Sequence, residues 1–307
     1  MSEILLHNYP QSPLAERVRL GLGVKGLSWR WAEMPRMLPK PDLMALTGGY
    51  RRTPVMQIGA DIYCDSQCIL RELERRFPEP TFFPAGVNGA PWGLGRWTDT
   101  ALFDLALRLM VISGQESMPA EWIEDRSQLY FGPDFDLAAS SKEIPHIAAQ
   151  LRGQMAWVDQ RLTGRNFILG DNPDLPDLYI YPLVWVIRLR WDQGPAFFSQ
   201  FPAIEAWEKR VADIGHGDHS EMEPGEALEI AKSSESETPE ITDPLDPQGL
   251  KPGMRVGVQP IGSNTDKSVE GQVRAADAQT IAISRDDDRV GKVCVHFPRV
   301  GYRVTPL

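Results

Sequence analysis

Cysteine is scarce in this chain of 307 residues: there are three, Cys64, Cys68 and Cys294. A low, odd count excludes a disulfide scaffold and fits reduced thiols in a cytosol. Long apolar runs are missing, so no segment is expected to span a bilayer. The N-terminus lacks a basic region followed by a hydrophobic core, so no secretory signal is expected. Basic residues are in deficit: 32 Lys and Arg face 42 Asp and Glu, a net charge of −10. That balance argues against nucleic-acid binding. The expected location is the cytoplasm, with no membrane partner.

The charge that is present is uneven. Asp218–Gly249 holds ten Asp and Glu against one Lys, a net of −9. Leu250–Leu307 holds nine Lys and Arg against six Asp and Glu, a net of +3. Within the acidic stretch, SSESETPEITDPLDPQG is rich in Ser, Glu and Pro and poor in aromatics, which reads as a linker. A short helix is expected just before it, over Gly225–Ser233. No internal repeat is found.

The first 80 residues alternate in period. Ile4–His7 reads as a buried strand. Pro13–Lys25 reads as a helix, with Leu14, Val18 and Leu22 at i, i+4 and i+8, Ser12 as N-cap, Pro13 in the first turn and Gly26 as the stop. Trp29–Glu33 reads as a second strand, Val55–Ile58 and Asp61–Cys64 as a hairpin around Gly59-Ala60, and Ser66–Phe77 as a helix. From Pro91 to Gly217 the period is helical, in segments near Pro91–Ser113, Pro119–Tyr130, Ser140–Leu162, Leu175–Arg190 and Pro202–Asp213. Asp174 and Asp177 form a capping-box variant before an apolar run. After Gly253 the period falls to two in five short runs, which predicts a small antiparallel barrel, SH3-like in type.

Several short motifs share a source. Ser12-Pro13-Leu14-Ala15-Glu16-Arg17-Val18-Arg19, Arg52-Thr53-Pro54-Val55, Asp65-Ser66 and Gly170 to Asp177 occur in order and at suitable spacing. The chain resembles the cytosolic glutathione transferase superfamily, of serine/cysteine type, over residues 1 to about 217. The resemblance implies an α+β protein: a thioredoxin-like domain over 1–83 and an all-α domain over 91–217. An acidic linker over 218–249 and a small β-barrel domain over 250–307 follow, as an unusual C-terminal extension. It also implies a homodimer, glutathione as co-substrate and no metal, and a role in detoxification.

The resemblance assigns roles residue by residue. Val55, after a cis Thr53–Pro54 peptide, would meet the extended tripeptide with its backbone, as in strand addition. Ser66, at a helix N-terminus, would hold the γ-glutamyl carboxylate. Asp65 would pair with the amine, although the family usually has Glu there. Arg52 would reach the glycyl carboxylate. Tyr9, Gln11 and Leu14 would line the electrophile pocket.

Ser12 is the catalytic candidate. A thiol of pKa ~8.5 is only a few per cent thiolate at pH 7, and moving it to ~6.5 needs ~2.7 kcal/mol of preference for the anion. A hydrogen bond to a charged group contributes ~1.5–3 kcal/mol, and a helix N-terminus up to ~2. A serine hydroxyl there is sufficient without a general base. The thiolate would then be transferred to a small hydrophobic electrophile. Tyr9 is the alternative donor, and a plain N-cap is the structural reading of Ser12. With Ser12 and Ala15 in place of a Cys-x-x-Cys pair, dithiol redox chemistry is excluded. His216, Asp218, His219 and Glu221 are near enough in sequence to ligate a metal, but a solvated hinge is the simpler reading. The added barrel keeps a second function in view: a non-catalytic transferase-like binding or scaffolding protein whose barrel is the interaction surface.

Overall fold

In a computed structural model, residues 3–86, 88–114, 118–223, 225–262 and 265–307 are described. They form two compact units. One comprises Met1–Val18, Leu27–Arg75 and Asp218–Leu307, the other Arg19–Gly26 and Arg76–Gly217.

The first unit opens with β1 (Leu5–Asn8), α1 (Pro13–Val24), β2 (Ser28–Glu33), α2 (Pro41–Thr47), β3 (Val55–Ile58), β4 (Asp61–Cys64) and α3 (Ser66–Arg76). β2 lies parallel to β1, β3 antiparallel to it, and β4 antiparallel to β3. This order, β4-β3-β1-β2, is the thioredoxin-like sheet that the resemblance implied. β1, β3 and β4 are buried throughout, which is why they read as apolar runs rather than alternating ones. The α2 helix was missed. Its Pro41 start and Gly48 cap, at φ 73°, are ordinary helix punctuation, but seven residues carry too little periodicity to be seen.

The helical unit contains α4 (Gly89–Trp97), a π-helical turn (Thr98–Leu102), α5 (Phe103–Ser113), α6 (Ala120–Tyr130), α7 (Leu137–Ser141), α8 (Ile144–Leu162), α9 (Leu175–Arg190), α10 (Gly194–Phe198) and α11 (Pro202–Ala212). Pro145 sits in the first turn of α8, so that helix starts there instead of at Ser140. α9 is buried along most of its length, and Trp207 of α11 is fully buried. Gly95 lets α4 approach α9: a Cβ there would lie 2.9 Å from the Tyr179 ring.

The last 90 residues return to the first unit. β5 (Asp218–Glu221) pairs in parallel with β2, and α12 (Glu226–Lys232) buries Ala227, Leu228 and Ala231. β6 (Ile241–Thr242) pairs with β8 (Val269–Ala276). The remaining strands are β7 (Arg255–Pro260), β9 (Thr280–Asp287), β10 (Gly291–Pro298) and β11 (Tyr302–Pro306). Their order, β11-β7-β8-β9-β10, has the fifth strand returning beside the first, as in the small SH3-like barrel expected. Asp286 to Asp288 fall at the β9–β10 hairpin.

Two features correct the sequence reading. The acidic stretch is not a bare linker. Its strand and helix run as a strap against the sheet, with both Arg30 Nη atoms on the Glu226 carboxylate at 2.5 and 2.8 Å and Gln57 Nε2 donating to the Ala227 carbonyl at 2.9 Å. The short helix expected over Gly225–Ser233 is α12, with Ala227, Leu228 and Ala231 facing in; composition did not reveal that it docks on the sheet. Nor do the C-terminal strands stand as a separate body. β10 pairs in parallel with β4, so both edges of the thioredoxin-like sheet are covered, one by β5 and the other by β10. Covering edges removes templates for unwanted pairing. One core cluster runs through Leu5, Leu43, Leu46, Val55, Ile62, Leu228, Val256, Val269, Val295 and Phe297.

Candidate functional site

Ser12 caps α1. Its Oγ accepts the Ala15 N–H at 3.2 Å, and its carbonyl accepts the Glu16 N–H at 2.9 Å. The residue is 3% exposed. The cap uses an oxygen lone pair. Among the described residues, no acceptor takes the hydroxyl hydrogen. Capping and donation to an anion are therefore compatible at this atom. Tyr9 is half-buried and packs against the core, with the Lys40 Nζ 5.8 Å from its ring centre. Gln11 and Leu14 are half-buried on the same segment.

The Thr53–Pro54 peptide is cis, and Val55 opens β3 between His7 of β1 and Cys64 of β4. Thr53 Oγ1 accepts from Lys40 Nζ at 3.2 Å, and that ammonium also donates to the Arg51 carbonyl at 3.1 Å. Lys40 is almost fully buried, so its hydrogen-bonded amine is fixed beside this segment.

Asp65 has φ 77°, the one non-glycine residue in the left-handed region among those described. Such a conformation costs on the order of 1 kcal/mol and persists where surroundings impose it. Here they do. Oδ1 accepts the Gln67 N–H at 2.8 Å, and Oδ2 accepts the Tyr302 hydroxyl at 3.0 Å. Tyr302 also contacts the Tyr50 hydroxyl at 3.2 Å. Burial, and then the negative Asp65, push both phenols well above their usual range, so they remain protonated donors. Ser66 starts α3, and its hydroxyl accepts from Arg17 Nη1 at 3.0 Å. Arg17 is fully buried and brings a cation to this helix start.

Arg52 is held differently. Its Nε and Nη2 both lie 2.6 Å from a single oxygen, Oδ2 of Asp266, whose side chain is 4% exposed. Sequence reasoning named Arg52, Asp65, Ser12 and Ser66 but missed Asp266, Tyr302, Lys40 and Arg17. Arg17 sits inside the quoted first-helix motif and was within reach. Asp266 and Tyr302 are more than 210 residues from their partners, and nothing local marks them.

His219 stacks on Trp29, ring centres 4.8 Å apart, in the exposed strand β5. Among the described residues, three ligand-type side chains converge only at Asp61, Cys294 and His296. Asp61 there already accepts four hydrogen bonds. Oδ1 takes Ser236 Oγ at 2.7 Å, Thr238 Oγ1 at 2.8 Å and His296 Nε2 at 2.9 Å, and Oδ2 takes the Glu237 N–H at 2.9 Å. The arrangement pins the strap to β4 and β10. Cys64 and Cys68 are buried thiols pushed up by burial, as expected of packed residues. In the helical unit, Leu94, Trp97, Val158, Ile168, Leu169 and Ile180 line an apolar hollow of about 460 Å³.

A thioredoxin-like sheet with a capped serine, a cis-proline and an Asp-Ser helix start, in a chain that also carries an all-helical unit, defines a glutathione-transferase architecture. The comparisons agree. Residues 6–81 match the family model for the glutathione S-transferase N-terminal domain and residues 120–210 that for its C-terminal domain; the chain belongs to the glutathione transferase superfamily. It is 22% identical over 211 residues to a zeta-class glutathione S-transferase of Euphorbia esula, covering 66% of this chain and 82% of that one. It is 24% identical over 220 residues to a maleylacetoacetate isomerase of Pseudomonas aeruginosa, covering 68% and 89%. A crystal structure of a GST-like protein from Pseudomonas syringae is 36% identical, with a TM-score of 0.78 and 100% of both chains covered. The C-terminal extension is therefore shared with another chain. No helix among the described residues is long and apolar enough to cross a membrane.

Proposed function

We propose that this chain is a glutathione-dependent enzyme in which the Ser12 hydroxyl stabilises the glutathione thiolate for attack on a small hydrophobic electrophile. The tripeptide backbone would run along Thr53, Pro54 and Val55. Its γ-glutamyl carboxylate would meet Ser66 and the start of α3, with Arg17 behind, and its amine would meet Asp65. Tyr9, Gln11 and Leu14 would border the electrophile. The supporting observation is Ser12 itself: a buried cap whose hydroxyl hydrogen is uncommitted at a helix N-terminus. The two curated relatives are named for a transferase and an isomerase, and addition of a thiolate to an activated carbon begins either reaction. The enzyme would act as a cytoplasmic homodimer in detoxification.

The test is an ultraviolet titration of glutathione bound to the wild type, Ser12→Ala and Tyr9→Phe. Loss of a charge-assisted hydrogen bond should raise the bound thiol's pKa and slow transfer ~10–100-fold in Ser12→Ala. An unchanged thiol in that variant ends the reading, and a change confined to Tyr9→Phe moves the role to Tyr9. The second reading, a non-catalytic scaffold with the barrel as its interaction surface, is favoured by one observation: Asp266 and Tyr302 of the extension already hold Arg52 and Asp65. Failure of wild type and variants alike to bind glutathione would support it.

A further inference from the structure

Arg52 is the cation expected to meet the glycyl carboxylate, and it already has a carboxylate. Both its Nε and Nη2 converge on Asp266 Oδ2 at 2.6 Å, and Asp266 is almost wholly buried in that pairing. A ligand carboxylate brought to the same guanidinium would face a fixed negative charge in a poorly hydrated place, where repulsion is strong. A ligand end without charge would not. Tyr302 acts at the other end without the same conflict. It and an incoming ammonium are both donors, and a carboxylate accepts several hydrogen bonds, so Tyr302 positions Asp65 without displacing the amine.

We propose that Asp266, supplied by the C-terminal extension, is a specificity-determining residue that turns this site from free glutathione towards γ-glutamyl thiols whose glycine carboxylate is masked as an ester or amide. This rests on the reading of the site as a glutathione site. The extension thus resets the ligand's C-terminal requirement while leaving Ser12, Pro54 and Ser66 to handle the thiol and the γ-glutamyl end.

The measurement is calorimetric binding of two probes, glutathione and its glycyl monoethyl ester, to the full-length wild type, Asp266→Asn and the double variant Arg52→Gln/Asp266→Asn. The wild type should bind the ester about tenfold more tightly than free glutathione, a like-charge penalty of ordinary size. Asp266→Asn should shift that ratio towards free glutathione, because the fixed carboxylate that faces the incoming glycyl carboxylate is then gone. The double variant should bind both probes equally. It also removes the buried charge pair as a pair, so it remains informative if Asp266→Asn alone does not fold. A destabilised fold would weaken both probes together, whereas the proposal requires their ratio to move. A wild type that binds free glutathione at least as tightly as the ester, or a ratio unchanged across the proteins that fold, overturns the proposal. Absence of binding of either probe to any of the three proteins overturns the underlying reading of the site instead.

Discussion

Two buried aspartates, Asp177 in the helical unit and Asp61 in the sheet, solve the same problem in opposite ways. Both are almost inaccessible and accept several hydrogen bonds. Asp177 accepts the Ile168 N–H at 3.0 Å, the Asp174 N–H at 2.9 Å and the Trp207 Nε1–H at 2.6 Å. Its ionisable neighbour is another carboxyl group, Asp174. Burial raises both members of that pair, and repulsion by Asp177 adds to the effect on Asp174, which is pushed up to about 9. Asp61 has a cation instead. Burial would raise it, but hydrogen bonds from His296, Ser236 and Thr238 win and hold it at about 2. His296 in turn, despite burial that favours the neutral ring, is held at about 9 by Asp61. Depth raises both acids; at Asp61 the donors around the carboxylate, His296 first, outweigh it, whereas at Asp177 they do not.

The largest expected effect is at Asp177. Alanine there would leave three buried N–H donors without an acceptor, at a cost on the order of 3–5 kcal/mol. Urea unfolding should show the midpoint collapsing, and a loss below ~1 kcal/mol would mean the three donors find acceptors elsewhere.

Asp61→Asn comes next. It removes the counter-charge of a buried imidazolium and should cost ~3 kcal/mol at neutral pH. The pH dependence has a definite sign. His296 binds its proton more tightly folded than unfolded, so its contribution is complete below 6.5 and is lost as pH rises through about 9. Asp61 runs the other way, with its contribution present above 3.8 and lost as pH falls through about 2. The wild type should thus lose stability between pH 6.5 and 9, by up to ~3 kcal/mol from this pair. His296→Gln should remove that part of the slope, and an identical slope in the variant would show that the ring is already neutral at pH 7.

The same contrast explains what could be read beforehand. Asp174 and Asp177 are three apart, at the start of an apolar run, and their capping box was visible because helix starts are local. Ser12-Pro13, Thr53-Pro54 and Asp65-Ser66 were visible for the same reason. Asp61 is joined to Ser236, Thr238 and His296, 175 to 235 positions away. Asp266 and Tyr302 reach back 214 and 237 positions. No local pattern records such pairings. The period-two strands after Gly253 announced a small barrel, but the alternation of one strand says nothing of which other strand's edge it will join.

Ser236→Ala is a smaller probe. It deletes one of four hydrogen bonds to Asp61 while the His296 charge remains, and should cost ~1 kcal/mol. Since the hydroxyl belongs to the strap, protease resistance of residues 218–249 should fall in step with that loss. A variant as resistant as the wild type would mean that β5 and α12 hold the strap without this contact.

The sharpest contrast is expected for Asp174→Asn, whose effect is small at low pH and grows as pH rises. Asp174 Oδ2 accepts the Leu169 N–H at 2.7 Å, while Oδ1, also buried, has no partner among the described residues. A carboxyl group pushed up to about 9 carries a proton at pH 7, and an amide places a donor where that hydrogen sits. At pH 4 the unfolded chain is still about two-fifths protonated at this residue, so the substitution should change stability by less than ~1 kcal/mol. As pH rises to 8, the wild type is penalised because its unfolded chain ionises freely and its folded one does not; the asparagine variant escapes that penalty and should become the more stable protein. Asp61→Asn should lower stability over the same range. Equilibrium unfolding of both variants at pH 4 and pH 8 settles the comparison: if the two substitutions change stability with the same sign at pH 8, the neighbour's charge does not decide the state of a buried acid in this chain.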